Sequence, residues 1–291
     1  MKQIIINADD FGLSKGINRG IIRVYKEGVL SSASLMANMP GFEDAVSLIR
    51  ENPGLGIGLH LNFFRGTPVL PIQKTATLIG KDGFFLQDIF KIIKNIYEKK
   101  ISLLELEAEC EAQINKALEK GITITHIDSE KHLHLISRVY EIIVRLAKKH
   151  GINTIRNINE YPYMLEFVLR GGQISSTALG RIALLQILSR NKKKINSVNS
   201  IKTADYSFGL LERNGMSLNK CERLFEYLKD GTTEIFCHPG YIDEEWQSAP
   251  LNKQRYYINT ARERELGVLL SPRLKEAIHN LNIGLVDFSK L

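Results

Sequence analysis

Short apolar runs alternate with amphipathic segments along most of this chain, and this alternation is the strongest constraint on its fold. The first apolar run covers residues 3–8, and residues 17–25 then show helical periodicity that ends before Gly28. A run at 32–37 and a helical segment at 42–50 repeat the pattern. Repeated β–α units of this kind are typical of a parallel sheet. The other predicted strands are 55–60, 122–127, 154–156, 234–237 and 285–288, and the other predicted helices are 86–98, 103–120, 139–149, 178–190, 217–229 and two stretches within 252–281.

About seven such units predict an α/β fold with about seven parallel strands. We expect the sheet to close into a (β/α) barrel, and an open doubly wound sheet is the alternative. The pattern loosens between about residues 160 and 200, which we interpret as an insertion or lid. Because there is no internal repeat and no long linker, residues 1–291 are predicted to form a single domain.

Composition excludes several classes of protein. With 44% hydrophobic and 24% charged residues, the chain can bury a large core and lacks the composition of a disordered or fibrous protein. Its net charge is +7, but the basic residues are scattered and the longest basic run spans only 192–194, so we expect no nucleic-acid partner. No apolar run reaches the roughly 18 residues of a membrane span. Three dispersed cysteines and the lack of a signal-peptide pattern predict a cytoplasmic protein.

Four of the apolar runs lead directly into polar motifs. Strand ends are where parallel α/β folds place their chemistry, so these motifs are expected to meet at one edge of the sheet. Together they supply carboxylates and imidazoles, which are the groups of a metal site or an acid–base site. The motifs are Asp-Asp-Phe-Gly at 9–12, Gly-Leu-His-Leu-Asn at 58–62, His-Ile-Asp-Ser-Glu-Lys-His at 126–132 and Cys-His-Pro-Gly at 237–240.

Side-chain alternation separates the roles of neighbouring residues. Asp9 and Asp10 point to opposite sides of a strand, so one is expected to bind metal and the other to face water. His60 and His126 each end an apolar strand, although a single histidine there also fits a structural hydrogen bond. Asp128 lies two residues beyond His126 on the same face, where it would orient the imidazole.

The last motif supplies a candidate general acid. His238 precedes a Pro-Gly turn that would hold its ring in place, and an imidazole there can protonate a leaving group. Its neighbour Cys237 should point the other way, into the core. His132 and His134 are predicted to contact substrate or metal, or to lie on a solvated turn.

Two imidazoles and one carboxylate form a three-ligand set that leaves coordination positions open for water and substrate. A divalent ion held in this way acidifies its water and polarises a carbonyl. By ligand chemistry alone, zinc, cobalt or manganese suit this set better than magnesium, which prefers oxygen ligands.

The motif sequences resemble those of the YdjC/ChbG carbohydrate deacetylase family. The similarity is carried by residues 7–14, 58–60, 125–129 and 237–240, in the family's order. Residues 208–210 and 262–266 are also similar to the hopanoid-associated HpnK branch.

The resemblance implies a polysaccharide-deacetylase-like (β/α) barrel that removes an N-acetyl group from an amino sugar with one divalent ion, often magnesium. Chitooligosaccharides are the best-known substrates, N-acetylglucosamine-containing glycans or glycolipids are further ones, and family members often form homodimers. On matching positions it implies the metal ligands Asp10, His60 and His126, the base Asp9 and the acid His238. It also implies that Arg156 orients Asp9 or the substrate. Asp128 and His132 are expected either to hydrogen-bond the metal ligands or to contact the substrate.

One position departs from the family pattern. Glu130 stands where family members commonly have a histidine, and this change bears on the choice of substrate. Glu130 also keeps open a sugar-binding protein of the same fold with an impaired site. A second alternative is a metal-dependent phosphoesterase, because Asp/His sites also hydrolyse phosphate esters, and two close metal ions are expected there.

Overall fold

The computed structural model describes residues 1–160, 163, 180, 196, 199–209, 216–242 and 261–291. Its centre is a curled parallel sheet of seven strands with the order β4-β3-β2-β1-β6-β5, and β7 pairs with β1 off this path. Within the described residues this arrangement is a half-barrel. The strands are β1 (Lys2–Phe11), β2 (Ser32–Leu35), β3 (Gly56–Leu61), β4 (Ile127–Ser129), β5 (Tyr206–Phe208), β6 (Gly231–Cys237) and β7 (Gly284–Leu285).

Helices connect the strands, and several begin at side chains that cap them. Ser14 accepts a hydrogen bond from the Ile17 backbone at the start of α1, and Asp88 does the same for α3. None of the helices that the structure describes is long and apolar enough to cross a membrane. The helices are α1 (Lys15–Glu27), α2 (Phe42–Glu51), α3 (Ile89–Tyr97), α4 (Leu103–Glu119), α5 (Ser137–Lys149), α6 (Leu218–Tyr227), α7 (Ala261–Leu269) and α8 (Pro272–Asn280).

Strand β1 is the centre of the sheet and positions two of the predicted motifs. Its register with β6 places Ala8 opposite Cys237, so the carboxyl ends of the two strands lie side by side. Its register with β2 shifts between Ala8 and Phe11, and within this irregularity Asp10 has a φ of 70°. Irregularities of this kind re-aim a side chain, which here turns the Asp10 carboxylate toward the strand ends.

The predicted α/β class and the parallel sheet of about seven strands are confirmed. Two predicted strands are corrected: the strand expected at 122–127 begins only at Ile127, and 154–156 makes isolated bridges to Ile127 and Lys202 instead of a strand. Strand β5 was not predicted. The lid at 160–200 and the helix at 178–190 lie outside the described residues except at single positions.

Candidate metal centre

Arg156 lies at the base of the site and pairs with three carboxylates. It donates to both oxygens of Asp9, at 2.7 and 2.8 Å, and it also pairs with Asp128 at 2.7 Å and Glu234 at 2.6 Å. Its exposed fraction is 0%, and its two hydrogen bonds to Asp9 fix the orientation of that carboxylate. Burial opposes ionisation of Asp9, but the Arg156 guanidinium brings its pKa below the usual value. Asp9 is therefore ionised and fixed in position.

His60, at the end of β3, is oriented by Asp128 at the end of β4. Its Nδ1 lies 2.8 Å from Asp128 Oδ1, which assigns the Nδ1 proton to this hydrogen bond and directs Nε2 the opposite way. Burial disfavours the charged ring, but Asp128 and Asp9 raise the pKa of His60 well above its ordinary value. Without a metal ion, His60 therefore holds a second proton.

Asp10, His60 and Glu130 converge on one point at the strand ends. His60 Nε2 lies 3.9 Å from Asp10 Oδ1 and 3.8 Å from Glu130 Oε2. One donor atom from each residue lies within 4.8 Å of the others, and all three side chains are buried. The donor atoms of His60 and Glu130 that face away from this point have other partners. His60 Nδ1 is hydrogen-bonded to Asp128, and Glu130 Oε1 accepts a hydrogen bond from Arg65 at 3.1 Å. The inward-facing atoms fit a divalent ion with one nitrogen and two oxygen ligands.

A second buried group, formed by Asp9, His60 and Asp128, has the spacing of a metal site but not its chemistry. Arg156 already donates to both Asp9 oxygens and pairs with Asp128. The His60 nitrogen on this side is bonded to Asp128. We assign this group to orienting the ligands and the base.

Two arginines surround the Asp10 carboxylate. Arg262 of α7 donates to Asp10 Oδ2, and Arg65 Nη1 lies 3.3 Å from the same oxygen. Burial opposes ionisation of Asp10, but these two guanidinium groups hold its pKa well below the ordinary range. For Glu130, burial likewise opposes ionisation, and Arg65 lowers its pKa. Both carboxylates are therefore ionised at neutral pH and paired with arginines.

His126, predicted as the third ligand, is not brought into this group. Its Nε2 lies 3.1 Å from Ser34 Oγ, its Nδ1 lies 3.0 Å from Thr125 Oγ1, and its ring stacks on Phe288 at 3.7 Å. The residue is fully buried, and burial lowers its pKa to about 3. The ring is neutral and stacked on Phe288, and the residue that groups with Asp10 and His60 is Glu130.

The remaining histidines have separate environments. His238 follows β6 with 44% of its side chain exposed, and its Nε2 lies 3.9 Å from Asp9 Oδ2. His132 lies 5.3 Å from the Phe236 ring, between ring centroids, and burial lowers its pKa to about 3. His134 hydrogen-bonds Ser129 at 2.7 Å and is buried. Of the three, only His238 combines exposure with proximity to Asp9.

Sequence reasoning assigned no role to Arg65, Glu234 or Glu265. Glu265 accepts a 2.5 Å hydrogen bond from the His238 backbone and so ties α7 to the end of β6. Burial raises the pKa of Glu234 to about 8 in spite of its contact with Arg156. No strand-end motif marks these residues, although Glu265 lies within the 262–266 segment.

The site is thus a buried Asp/His/Glu centre at the carboxyl edge of a parallel α/β sheet. A profile of the family described as YdjC-like protein matches residues 3–280, and the chain belongs to this family.

Known relatives match over their full length. The chain is 32% identical to a carbohydrate deacetylase of Brevibacillus brevis, covering 99% of each sequence, and 30% identical to a carbohydrate deacetylase of Thermoanaerobacter pseudethanolicus, covering 100% of each. A crystal structure from Enterococcus faecalis V583, whose protein is named for cellobiose-phosphate cleavage, has a TM-score of 0.73 at 27% identity and covers 99% of this chain and 98% of that one.

Proposed function

We propose that this protein is a metal-dependent carbohydrate deacetylase that hydrolyses the acetamide of an N-acetylated amino sugar. The observation that carries the proposal is the convergence of Asp10, His60 and Glu130, with Asp9 and His238 beside them. Full-length similarity to proteins named carbohydrate deacetylase supports the class of reaction.

Asp10, His60 and Glu130 are the proposed ligands, and one divalent ion is the proposed cofactor. The ion would polarise the acetamide carbonyl and offset the negative charge that develops on its oxygen. Two carboxylates and one imidazole form a set richer in oxygen than the one the sequence predicted, which favours magnesium or manganese over zinc.

Asp9 and His238 are the proposed base and acid. Asp9 Oδ2, held ionised by Arg156, takes the proton from the attacking water. His238 Nε2 then gives a proton to the departing amine nitrogen. The two atoms lie 3.9 Å apart, too far for a direct hydrogen bond but close enough for both groups to face the same substrate amide at the mouth of the site.

The test is release of acetate from N-acetylated chitooligosaccharides by the purified protein with added magnesium or manganese. We expect His60→Ala to abolish metal binding and acetate release, whereas the exposed His279→Ala serves as the matched control. Loss of His238 alone should leave metal binding intact and reduce kcat by roughly 10²–10⁴-fold. Near-normal, metal-dependent acetate release by His60→Ala would contradict the proposal.

Other outcomes of the same assay identify the two alternatives. Sugar binding without acetate release under any divalent ion would indicate an impaired sugar-binding protein. Release of phosphate from sugar phosphates, with two metal ions per chain, would indicate a phosphoesterase.

Several finer assignments are also proposals. Similarity at 208–210 and 262–266 supports the HpnK branch, and family habit supports a homodimer, which sedimentation velocity would test. A cytoplasmic location rests on composition and cysteine usage.

A further inference from the structure

Arg65 lies inside the candidate metal centre although it belongs to no predicted motif. Its exposed fraction is 8%, and its guanidinium spans two of the proposed ligands, with Nη1 3.3 Å from Asp10 Oδ2 and Nη2 3.1 Å from Glu130 Oε1. A buried cation is therefore bound to the same two carboxylates that would bind a metal ion.

The backbone around Arg65 is fixed, so this position is built into the loop after β3. Asn62 Oδ1 accepts hydrogen bonds from the backbone N–H groups of Phe64 and Arg65, at 2.9 and 3.0 Å. The Arg65 carbonyl in turn accepts hydrogen bonds from the side-chain amides of Asn38 and Asn62, at 3.0 and 2.9 Å. These hydrogen bonds fix the Arg65 backbone, from which the side chain reaches the two carboxylates.

The two carboxylate ligands are matched in charge by two arginines. Asp10 and Glu130 carry two negative charges, and Arg65 and Arg262 supply two positive ones at contact distance. Buried carboxylates are costly unless they are paired, so the arginines stabilise the group in the ion-free protein. A divalent ion entering this group meets carboxylates that are already neutralised and a guanidinium that repels it.

We propose that Arg65 is an internal competitor of the divalent ion, binding Asp10 and Glu130 in the ion-free protein and lowering the affinity of the centre for metal. The inference rests on the metal site of the proposed function. Arg262 differs because its contact is confined to one ligand, Asp10, besides the His238 carbonyl. Of these two arginines, Arg65 is the one that contacts both carboxylate ligands.

The experiment measures Mn²⁺ binding by electron paramagnetic resonance, without substrate, in the wild type, Arg65→Met and Arg65→Lys. Methionine keeps an unbranched chain but removes the charge, and lysine keeps the charge but lacks the planar fork that places one Nη group on each carboxylate. Exposed Arg23, which pairs with Glu27 at 3.0 Å, supplies the control Arg23→Met. We expect Arg65→Met to bind Mn²⁺ about tenfold more tightly than the wild type, Arg65→Lys to lie between them and Arg23→Met to match the wild type.

Unchanged or weaker Mn²⁺ binding by both Arg65 variants would overturn the inference, as would absence of binding in every variant. Binding by Arg65→Met but not by the wild type would support it strongly. If Arg65→Met does not fold, the Mn²⁺ affinity of Arg65→Lys is compared with that of the wild type. In the wild type, added Mg²⁺ should also speed exchange of the Arg65 guanidinium protons with water. Unchanged exchange would count against competition.

Failure of the proposed function has a different signature. Mn²⁺ binding that His60→Ala abolishes and Arg65→Met tightens, combined with no acetate release from any sugar, would refute deacetylation and leave the competition between Arg65 and metal standing.

Discussion

Arg156 shows how strongly a single residue determines the charge state of the site. It contacts Asp9, Asp128 and Glu234 with no exposure to solvent, so the two ionised carboxylates of Asp9 and Asp128 share one guanidinium. Removing one partner of a buried ion pair leaves uncompensated charge, which costs far more than loss of a surface pair.

We therefore expect Arg156→Met to lower the free energy of unfolding by about 3–5 kcal/mol, measured by urea denaturation. The matched control is Arg145→Met, which removes an exposed arginine bonded to Glu107 and should cost at most about 1 kcal/mol. Equal losses in the two variants would show that Arg156 is not the charge centre described here.

His60 predicts a pH dependence of metal binding. Its pKa in the ion-free protein is raised, so the ring is protonated across the range below that pKa, and the proton on Nε2 must leave before a metal ion binds. The pKa values of Asp10 and Glu130 are lowered, so these ligands stay ionised throughout the neutral range. The affinity for Mn²⁺ should rise with pH up to the His60 pKa and then level off. Calorimetry in buffers of different ionisation enthalpy should detect a released proton, and pH-independent binding without proton release would contradict this role.

At the scale of elements, Gly58 of β3 lies against the side chain of His126, in the segment that leads into β4. A Cβ atom added at Gly58 would overlap the His126 ring, which itself stacks on Phe288. This close approach explains the glycine in the Gly58–Asn62 motif, because it makes room for the buried His126 imidazole.

Gly58→Ala should destabilise the protein by roughly 1–3 kcal/mol through overpacking. Exposed Gly267 in α7 has open space around its position, so Gly267→Ala should be neutral or stabilising by up to about 1 kcal/mol because alanine favours a helix. Chemical denaturation of both variants tests this contrast, and a Gly58→Ala protein as stable as the wild type would be the contrary result.

The expectation that functional residues lie at strand ends predicted the elements that carry the candidate site. It did not predict which side chain of each element faces that site. His126 precedes a strand that begins only at Ile127, so its position differs from the one expected at the end of a longer strand. Glu130 lies at the start of a turn in which Lys131 and His132 have positive φ, and this reversal is not visible in the spacing of residues. Arg65 lies in a loop, where the period of the sequence gives no facing direction, and Glu265 lies on α7, outside the strand-end motifs in the sequence.

At the scale of the whole molecule, the proposed ligands come from β1, β3 and the turn after β4, which are separated by long stretches of chain. Alternation of strands and helices was sufficient to predict this convergence, because parallel strands of one sheet end at the same edge. A bound ion would join all three segments in the folded state only.

Metal binding should therefore raise the melting temperature. At an ion concentration 100-fold above Kd, the folded state gains about 2.7 kcal/mol, which differential scanning fluorimetry would detect as a clear upward shift. His60→Ala should show no shift, whereas His279→Ala should match the wild type. A shift of equal size in His60→Ala would place the ion elsewhere.

The position of the ion tests the central claim most directly. In crystals grown or soaked with Mn²⁺, anomalous scattering should give a peak bounded by Asp10, His60 and Glu130 and separate from His126. A peak bonded to His126 in place of Glu130, or no peak at this edge of the sheet at an ion concentration that saturates binding in solution, would contradict the account.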